Sequence, residues 1–208
     1  MTAAKDKNRQ IWDARYGQPG YFYGTAPNAW LASKEGYLKA GMRVLLPADG
    51  EGRNSVWCAE RGMAVDAFEL SAVAVEKAKQ LAAKRGVSVN HAVADIGGWD
   101  WQPEVYDAVI LVFMNFATPN MRRRLFADCI KTLRPGGILL LQGYSVRQLE
   151  YGTGGPSVPE QLYTEEMLAN AFAALDILEM TVYDTELSEG QGHNGMSAVI
   201  SMVARKPD

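Results

Sequence analysis

Cysteine and histidine are nearly absent from this chain: two of each in 208 residues. Cys58, Cys129, His91 and His193 stand far apart, so no zinc cluster can be assembled from neighbouring ligands. Two cysteines, both within predicted helices, read as reduced thiols rather than a disulfide framework. No apolar run approaches the roughly 20 residues a membrane helix needs. The first residues, "MTAAKDKNRQIWDARYG", are polar and helix-like and lack the apolar centre of a signal peptide. A cytoplasmic protein without a membrane partner is therefore expected. A basic surplus is missing too: net charge is -3, and the one compact basic run is Arg122-Arg123-Arg124, on a predicted helix face that water can solvate. Phosphate backbones are bound by clustered Lys and Arg, so nucleic acid is not the expected partner. Internal repeats and low-complexity segments are also lacking.

What is present is the composition of a globular domain, 48% hydrophobic and 22% charged. Residues 1–208 are expected to be one domain, with a helical lid over 1–40 and a core over 41–208. From Met42 onward short apolar runs alternate with helical patterns. "RVLLP", "MAVDAFEL", "VSVNHAVAD", "YDAVILVFM" and "ILLLQGYS" read as strands. Helices are predicted over 53–61, over "AVAVEKAKQLAAKR" with Gly86 as its cap, and over "NMRRRLFADCIKTL", stopped by "RPGG". This alternation predicts a mainly parallel sheet with helices on both faces. Farther on, "TEEMLANAFAAL" is a helix capped by Thr164. "DILEMTVYDTEL" and "AVISMVARKP" then form a hairpin joined by a polar turn, "SEGQGHNGMS". "PNAWLASKEGYL" is expected as the helix joining lid to core, and "YGTGGPSVPEQ" as a loop over the site.

In such sheets ligands bind beyond the C-terminal strand ends. Gly50-Glu51-Gly52 closes the first strand, and its glycines let backbone approach a ligand. The helix after it starts at Arg53-Asn54-Ser55, offering free N–H groups. Glu69 ends the second strand, placed to accept hydrogen bonds from two ribose hydroxyls. Asp95 follows the third, placed for an adenine amino group, with Ile96 beside it to pack on the ring. The NAD fingerprint, G-x-G-x-x-G, is not met, which makes a dehydrogenase the least favoured reading. S-adenosylmethionine carries no phosphate, and a loose glycine turn with one acid for ribose and one for adenine matches it better.

"GEGRNSVWCAERG…AFELS", "VAD", "YDAVI" and "LRPGGILLL" resemble the successive motifs of class I S-adenosylmethionine-dependent methyltransferases. "WDARYG…YFYGTAPNAWL", "GYSVRQLEYGTGGP" and "EGQGHNG…AV…ARKP" are similar to segments of the tellurite-resistance and thiopurine methyltransferase-like branch. The resemblance spans nearly the whole chain. It implies a Rossmann-like, doubly wound seven-stranded α/β sheet of order 3-2-1-4-5-7-6 with an antiparallel end. It implies cofactor contacts from Trp12, Ala48, Gly50, Gly52, Asn54, Ser55, Glu69, Leu70, Asp95, Ile96, Val112 and Phe113. It also implies methyl transfer to a small molecule, with a thiol or other soft nucleophile among the acceptors; a monomer or homodimer is expected.

The chain departs from the pattern at four places. Leu46 stands where relatives often have an acid, so weaker cofactor binding or a compensating group is expected; Ala48 replaces the first loop glycine. Asn115, in Phe113-Met114-Asn115-Phe116, falls where relatives often have histidine, and Gln142-Gly143 where an acid is common. A cofactor-binding sensor or partner subunit without chemistry is thus a second reading, and a nucleic-acid methyltransferase a third. The acceptor pocket is expected from Tyr16, Tyr23, Asn115, Tyr144 and His193, the last in the hairpin turn. A base is required only if the nucleophile arrives protonated.

Overall fold

The computed structural model describes residues 2–208, with side chains from Asp6 onward. Met1 of the expected lid lies outside the described residues. Seven strands form one sheet: β1 (Arg43–Pro47), β2 (Ala64–Glu69), β3 (Asn90–Val93), β4 (Tyr106–Val112), β5 (Leu133–Tyr144), β6 (Asp176–Glu189) and β7 (His193–Arg205). Their order is β3-β2-β1-β4-β5-β7-β6, the order expected. The first five strands pair in parallel, and β7 runs antiparallel to both neighbours.

Alternation along the central strands explains why both faces need cover. Leu45, Val109, Leu111, Leu139 and Leu141 enter one core with Phe126, Leu168 and Phe172. Val44, Leu46, Ala108, Ile110 and Leu140 enter the opposite core with Leu31, Trp57 and Cys58. Strands apolar on both sides exclude solvent from both, and burial of that area is the main folding drive.

Among the described residues seven helices carry the cover: α1 (Thr2–Tyr16), α2 (Ala29–Ser33), α3 (Arg53–Glu60), α4 (Ala72–Arg85), α5 (Pro119–Thr132), α6 (Gln148–Tyr151) and α7 (Glu165–Ala171). Their ends follow local chemistry. The Ser71 hydroxyl accepts from Ala74 N to open α4, and Gly86 closes it at φ 69°. Thr118 and Thr164 cap α5 and α7 in the same manner. Both cysteines are buried on helices, Cys58 on α3 and Cys129 on α5.

Several boundaries differ from expectation. β3 keeps only four residues, since at the sheet edge it pairs with β2 alone. The joining helix over 27–38 breaks into α2 and a 3-10 turn at Glu35–Tyr37, with Asn28 as its cap. "RPGG" does not interrupt β5; it bulges from it, between the Tyr106–Leu133 and Ala108–Ile138 pairs. The predicted hairpin turn is mostly strand. Pairing continues to Glu189 opposite His193, leaving Gly190-Gln191-Gly192 as the bend. Backbone pairing needs no apolar side chains, so polarity misled the boundary.

Among the described residues no helix is long and apolar enough to cross a membrane.

Candidate functional site

A cleft of about 300 Å³ opens at the C-terminal ends of β1, β2, β3 and β4. Its floor is the turn after β1. Ala48 and Gly50 take left-handed backbone, at φ 48° and 62°, and both line the cleft. For alanine that conformation costs roughly 1–2 kcal/mol, so the turn carries strain at the ligand side. Gly52 is also left-handed but faces away. A Cβ there would sit 2.7 Å from that of Ala78, so its glycine lets α3 approach α4.

One wall comes from β2 and β3. The Glu69 side chain is buried at the strand end, where its Oε2 accepts from Gly50 N at 3.2 Å and its Oε1 from Ser71 N at 3.0 Å. Burial raises its pKa, and the hydrogen bonds from the Ser71, Gly50 and Leu70 backbone oppose that rise. Leu70, Ala94, Asp95 and Ile96 continue this wall. The opposite wall is α1. Trp12 and Tyr16 stack one turn apart, with centroids 5.6 Å apart and planes 19° apart. Trp12 also meets the edge of Phe116 at 6.0 Å, and all three rings line the cleft.

Beyond Val112 the chain turns at Phe113, another left-handed residue, at φ 53°. The Phe113 ring packs 4.0 Å from that of His193, and Tyr23 lies 4.5 Å from the same imidazole. His193 comes into the cleft because the β6–β7 bend docks on residues 22–24. Gln191 N donates to Phe22 O at 2.8 Å, and a Cβ at Gly192 would stand 2.3 Å from the Tyr23 ring. Only glycine allows that approach. Beneath these rings Arg53 Nη2 donates to Glu189 Oε2 at 2.7 Å, both side chains being buried.

Of the residues singled out in the sequence, thirteen share this cleft: Trp12, Tyr16, Tyr23, Ala48, Gly50, Asn54, Glu69, Leu70, Asp95, Ile96, Val112, Phe113 and His193. Four do not line it. Gly52 packs on α4. Ser55 turns its hydroxyl to Asp49 Oδ2 at 2.5 Å and to His91 Nε2 at 3.1 Å. The Asn115 side chain clamps backbone, donating to Tyr144 O and Gln161 O and accepting from Tyr144 N. Tyr144 lies behind Phe113, ring centroids 4.8 Å apart. His193 opens β7 and does not sit within the turn.

Asp49 and Arg53 were missed. Asp49 lines the cleft from a buried position, and desolvation pushes its pKa up to about 7 against the hydrogen bonds from Ser55. Its proximity to the glycine turn was a usable signal. Arg53 was read only for its backbone N–H, and nothing local marks its buried ion pair with Glu189, 136 residues away. Phe116, Thr118, Met121 and Gln161 complete the far end of the cleft.

Among the described residues the arrangement has no phosphate cradle of the dinucleotide kind. It offers a strained backbone turn, a carboxylate on each of two adjacent strand ends, and aromatic faces opposite. That set suits the ribose, adenine and sulfonium of S-adenosylmethionine.

Residues 44–137 match a family model described as "Methyltransferase domain". A tRNA 5-carboxymethoxyuridine methyltransferase from Escherichia coli K12 is 33% identical over 110 residues, 52% of this chain and 42% of the relative. The match thus spans less than half of that relative's length. Among solved structures, TehB from Haemophilus influenzae superposes with a TM-score of 0.71 at 17% identity, over 95% of this chain and 66% of TehB. The N-methyltransferase NodS from Bradyrhizobium japonicum WM9, in complex with S-adenosyl-L-homocysteine, also gives 0.71, at 15% identity over 96% and 98% of the two chains. Residues 44–137, less than half of the chain, are thus similar to a methyltransferase domain, and the whole chain shares the fold of these solved structures.

Proposed function

We propose that the protein transfers the methyl group of S-adenosylmethionine to a small-molecule acceptor, a thiol or another soft nucleophile. The observation that supports this best is the sharing of one cleft by the Gly50 turn, Glu69, Asp95 and the aromatic rings of α1. In this reading Glu69 accepts from the ribose hydroxyls, Asp95 from the adenine amino group, and Ile96 packs on the base. Trp12 and Tyr16 face the cationic sulfonium, an attraction of about 0.5–2 kcal/mol. Asp49 offers, toward the ammonium group, the carboxyl that Leu46 lacks. Residues 1–40 serve as the lid on the core of the same domain, excluding water.

S-adenosylmethionine, when bound, supplies an already electrophilic methyl group. The chain's task is mainly to align the nucleophile, and positioning can lower a barrier by roughly 7–11 kcal/mol. The acceptor end is lined by Tyr23, Phe113, Phe116, Met121 and His193, a largely apolar set suited to a small polarizable molecule. The full-length run of motifs supports the tellurite-resistance and thiopurine methyltransferase-like branch, and the sequence supports a cytoplasmic location. Release of S-adenosylhomocysteine from a panel of thiols, phenols and amines tests the reading. Cofactor binding with no turnover of any acceptor favours the sensor instead.

The relative named for tRNA favours a second acceptor class. Arg122 to Arg124 follow directly on Met121, which lines the cleft, and Arg123 and Arg124 are exposed. Bulk tRNA belongs in the same panel, and methylation of tRNA alone would replace the small-molecule reading.

A further inference from the structure

His193 is held on one side and open on the other. Its ring lies between Phe113 and Tyr23, centroids 4.0 and 4.5 Å away. Its Nδ1 is buried and makes no hydrogen bond among the described residues, with Glu189 Oε2 the neighbouring acceptor, 3.5 Å away. The ring lines the cleft, and among the described residues no protein group is hydrogen-bonded to its Nε2. Glu189 is itself immobilised. Oε2 accepts from Arg53 Nη2, while Oε1 accepts from Asn28 Nδ2 at 3.0 Å and Ala29 N at 3.1 Å. Asn28 is fixed in turn, its Nδ2 also donating to Gln142 Oε1 at 2.7 Å. The carboxylate and its supports form a connected chain that ends 3.5 Å from the imidazole, placed to orient a proton acceptor.

We propose that His193 is the general base for an acceptor that arrives protonated, with Glu189 as its positioning residue. The proposal rests on the methyl-transfer reading. Nε2 takes the proton of an X–H acceptor as the X lone pair attacks the methyl carbon. The X–C bond forms and the carbon–sulfur bond breaks, its electron pair staying on sulfur. The sulfonium charge disappears as the imidazolium charge appears, and the imidazolium returns its proton to water once product leaves.

Surrounding charge agrees with this role. Burial lowers the His193 pKa, Glu189 beside it raises it, and Arg53 and Arg15 lower it further, so the ring is neutral and ready to accept. Glu189 also loses solvation, yet His193, Arg53 and Ala29 N outweigh that and bring it down to about 2, so it stays ionised. Tyr23 and Tyr144 face the ring as neutral phenols, their pKa values raised first by burial.

Nitrogen-15 NMR of the full chain labelled at histidine gives a direct test, because only two imidazoles report and His91→Gln assigns them. The expected tautomer carries the proton on Nδ1, toward Glu189, with Nε2 bare. Glu189→Gln should remove that preference and lower the imidazole pKa. A proton fixed on Nε2, or no response to Glu189→Gln, overturns the proposal before any acceptor is known. Turnover of matched phenol and thiophenol probes is the second arm. His193→Gln should lower kcat on the phenol by about 10²-fold more than on the ionised thiophenol. Equal losses on both assign His193 a packing role only. S-adenosylhomocysteine calorimetry on the wild type is scored apart, since failure there removes the methyl-transfer reading and leaves the tautomer result standing.

Discussion

Glu69 Oε2 accepts a hydrogen bond from Gly50 N at 3.2 Å, tying the tip of β2 to the turn that closes β1. The carboxylate thus does two things. It holds a left-handed turn in place, and it presents its remaining acceptor capacity to the cleft. A ligand that touches Glu69 therefore meets a turn already shaped.

Asp49 and His91 share Ser55, with Asp49 Oδ2 and His91 Nε2 3.9 Å apart, and their pKa values move in opposite senses. Burial raises Asp49 from 3.8 to about 7, so the folded state binds the extra proton and this contribution is lost as pH rises from 4 to 7. Burial, and then Lys79, lower His91 from 6.5 to about 4, so its contribution is lost as pH falls from 6.5 to 4. Urea titrations across that range should show Asp49→Asn gaining on wild type as pH rises, and His91→Gln losing. Each difference should approach about 1.4 kcal/mol per pH unit at its steepest. Parallel curves for all three proteins would reject both assignments.

Ala48→Gly removes strain at φ 48° but adds backbone freedom to the unfolded chain. The first effect is the larger, so a gain of up to about 1 kcal/mol is expected by denaturant melting. Destabilisation would show that the alanine methyl has packing worth more than the strain.

Gly192→Ala puts a methyl group against the Tyr23 and Phe22 rings. The hairpin must lift, and a cost of about 1–3 kcal/mol follows. The His193 resonances should shift with it. A variant of wild-type stability and unchanged spectrum would mean the bend does not position His193.

Trp12→Ala separates charge from shape. If the stacked Trp12–Tyr16 pair meets the sulfonium, the variant should lose more affinity for S-adenosylmethionine than for neutral S-adenosylhomocysteine, by roughly 2- to 30-fold. Equal losses for the two would leave Trp12 with a packing contribution alone.

The strand–helix alternation, the Gly86 cap and the stacked α1 pair were all legible in the sequence, because each depends on periodicity or on one residue's backbone preference, whereas the strand order followed from the family resemblance. The contacts that assemble the far end of the cleft were not legible, although Tyr23 and His193 were both expected there. His193 reaches Tyr23 only through a glycine bend pressed on residues 22–24, a contact between the two ends of the chain. Arg53–Glu189 is likewise long-range, and local patterns carry no trace of such pairs. Asn115 shows the converse: its position after β4 suggested the acceptor, yet its amide satisfies buried backbone.

Titration calorimetry of S-adenosylhomocysteine into wild type, Glu69→Ala and Asp95→Ala tests the central claim most directly. Each carboxylate lost should weaken binding by roughly 10- to 150-fold, the worth of about 1.5–3 kcal/mol for a hydrogen bond to a charged group. Unchanged affinity in both variants, with the fold intact by circular dichroism, would contradict the assignment of this cleft to the cofactor.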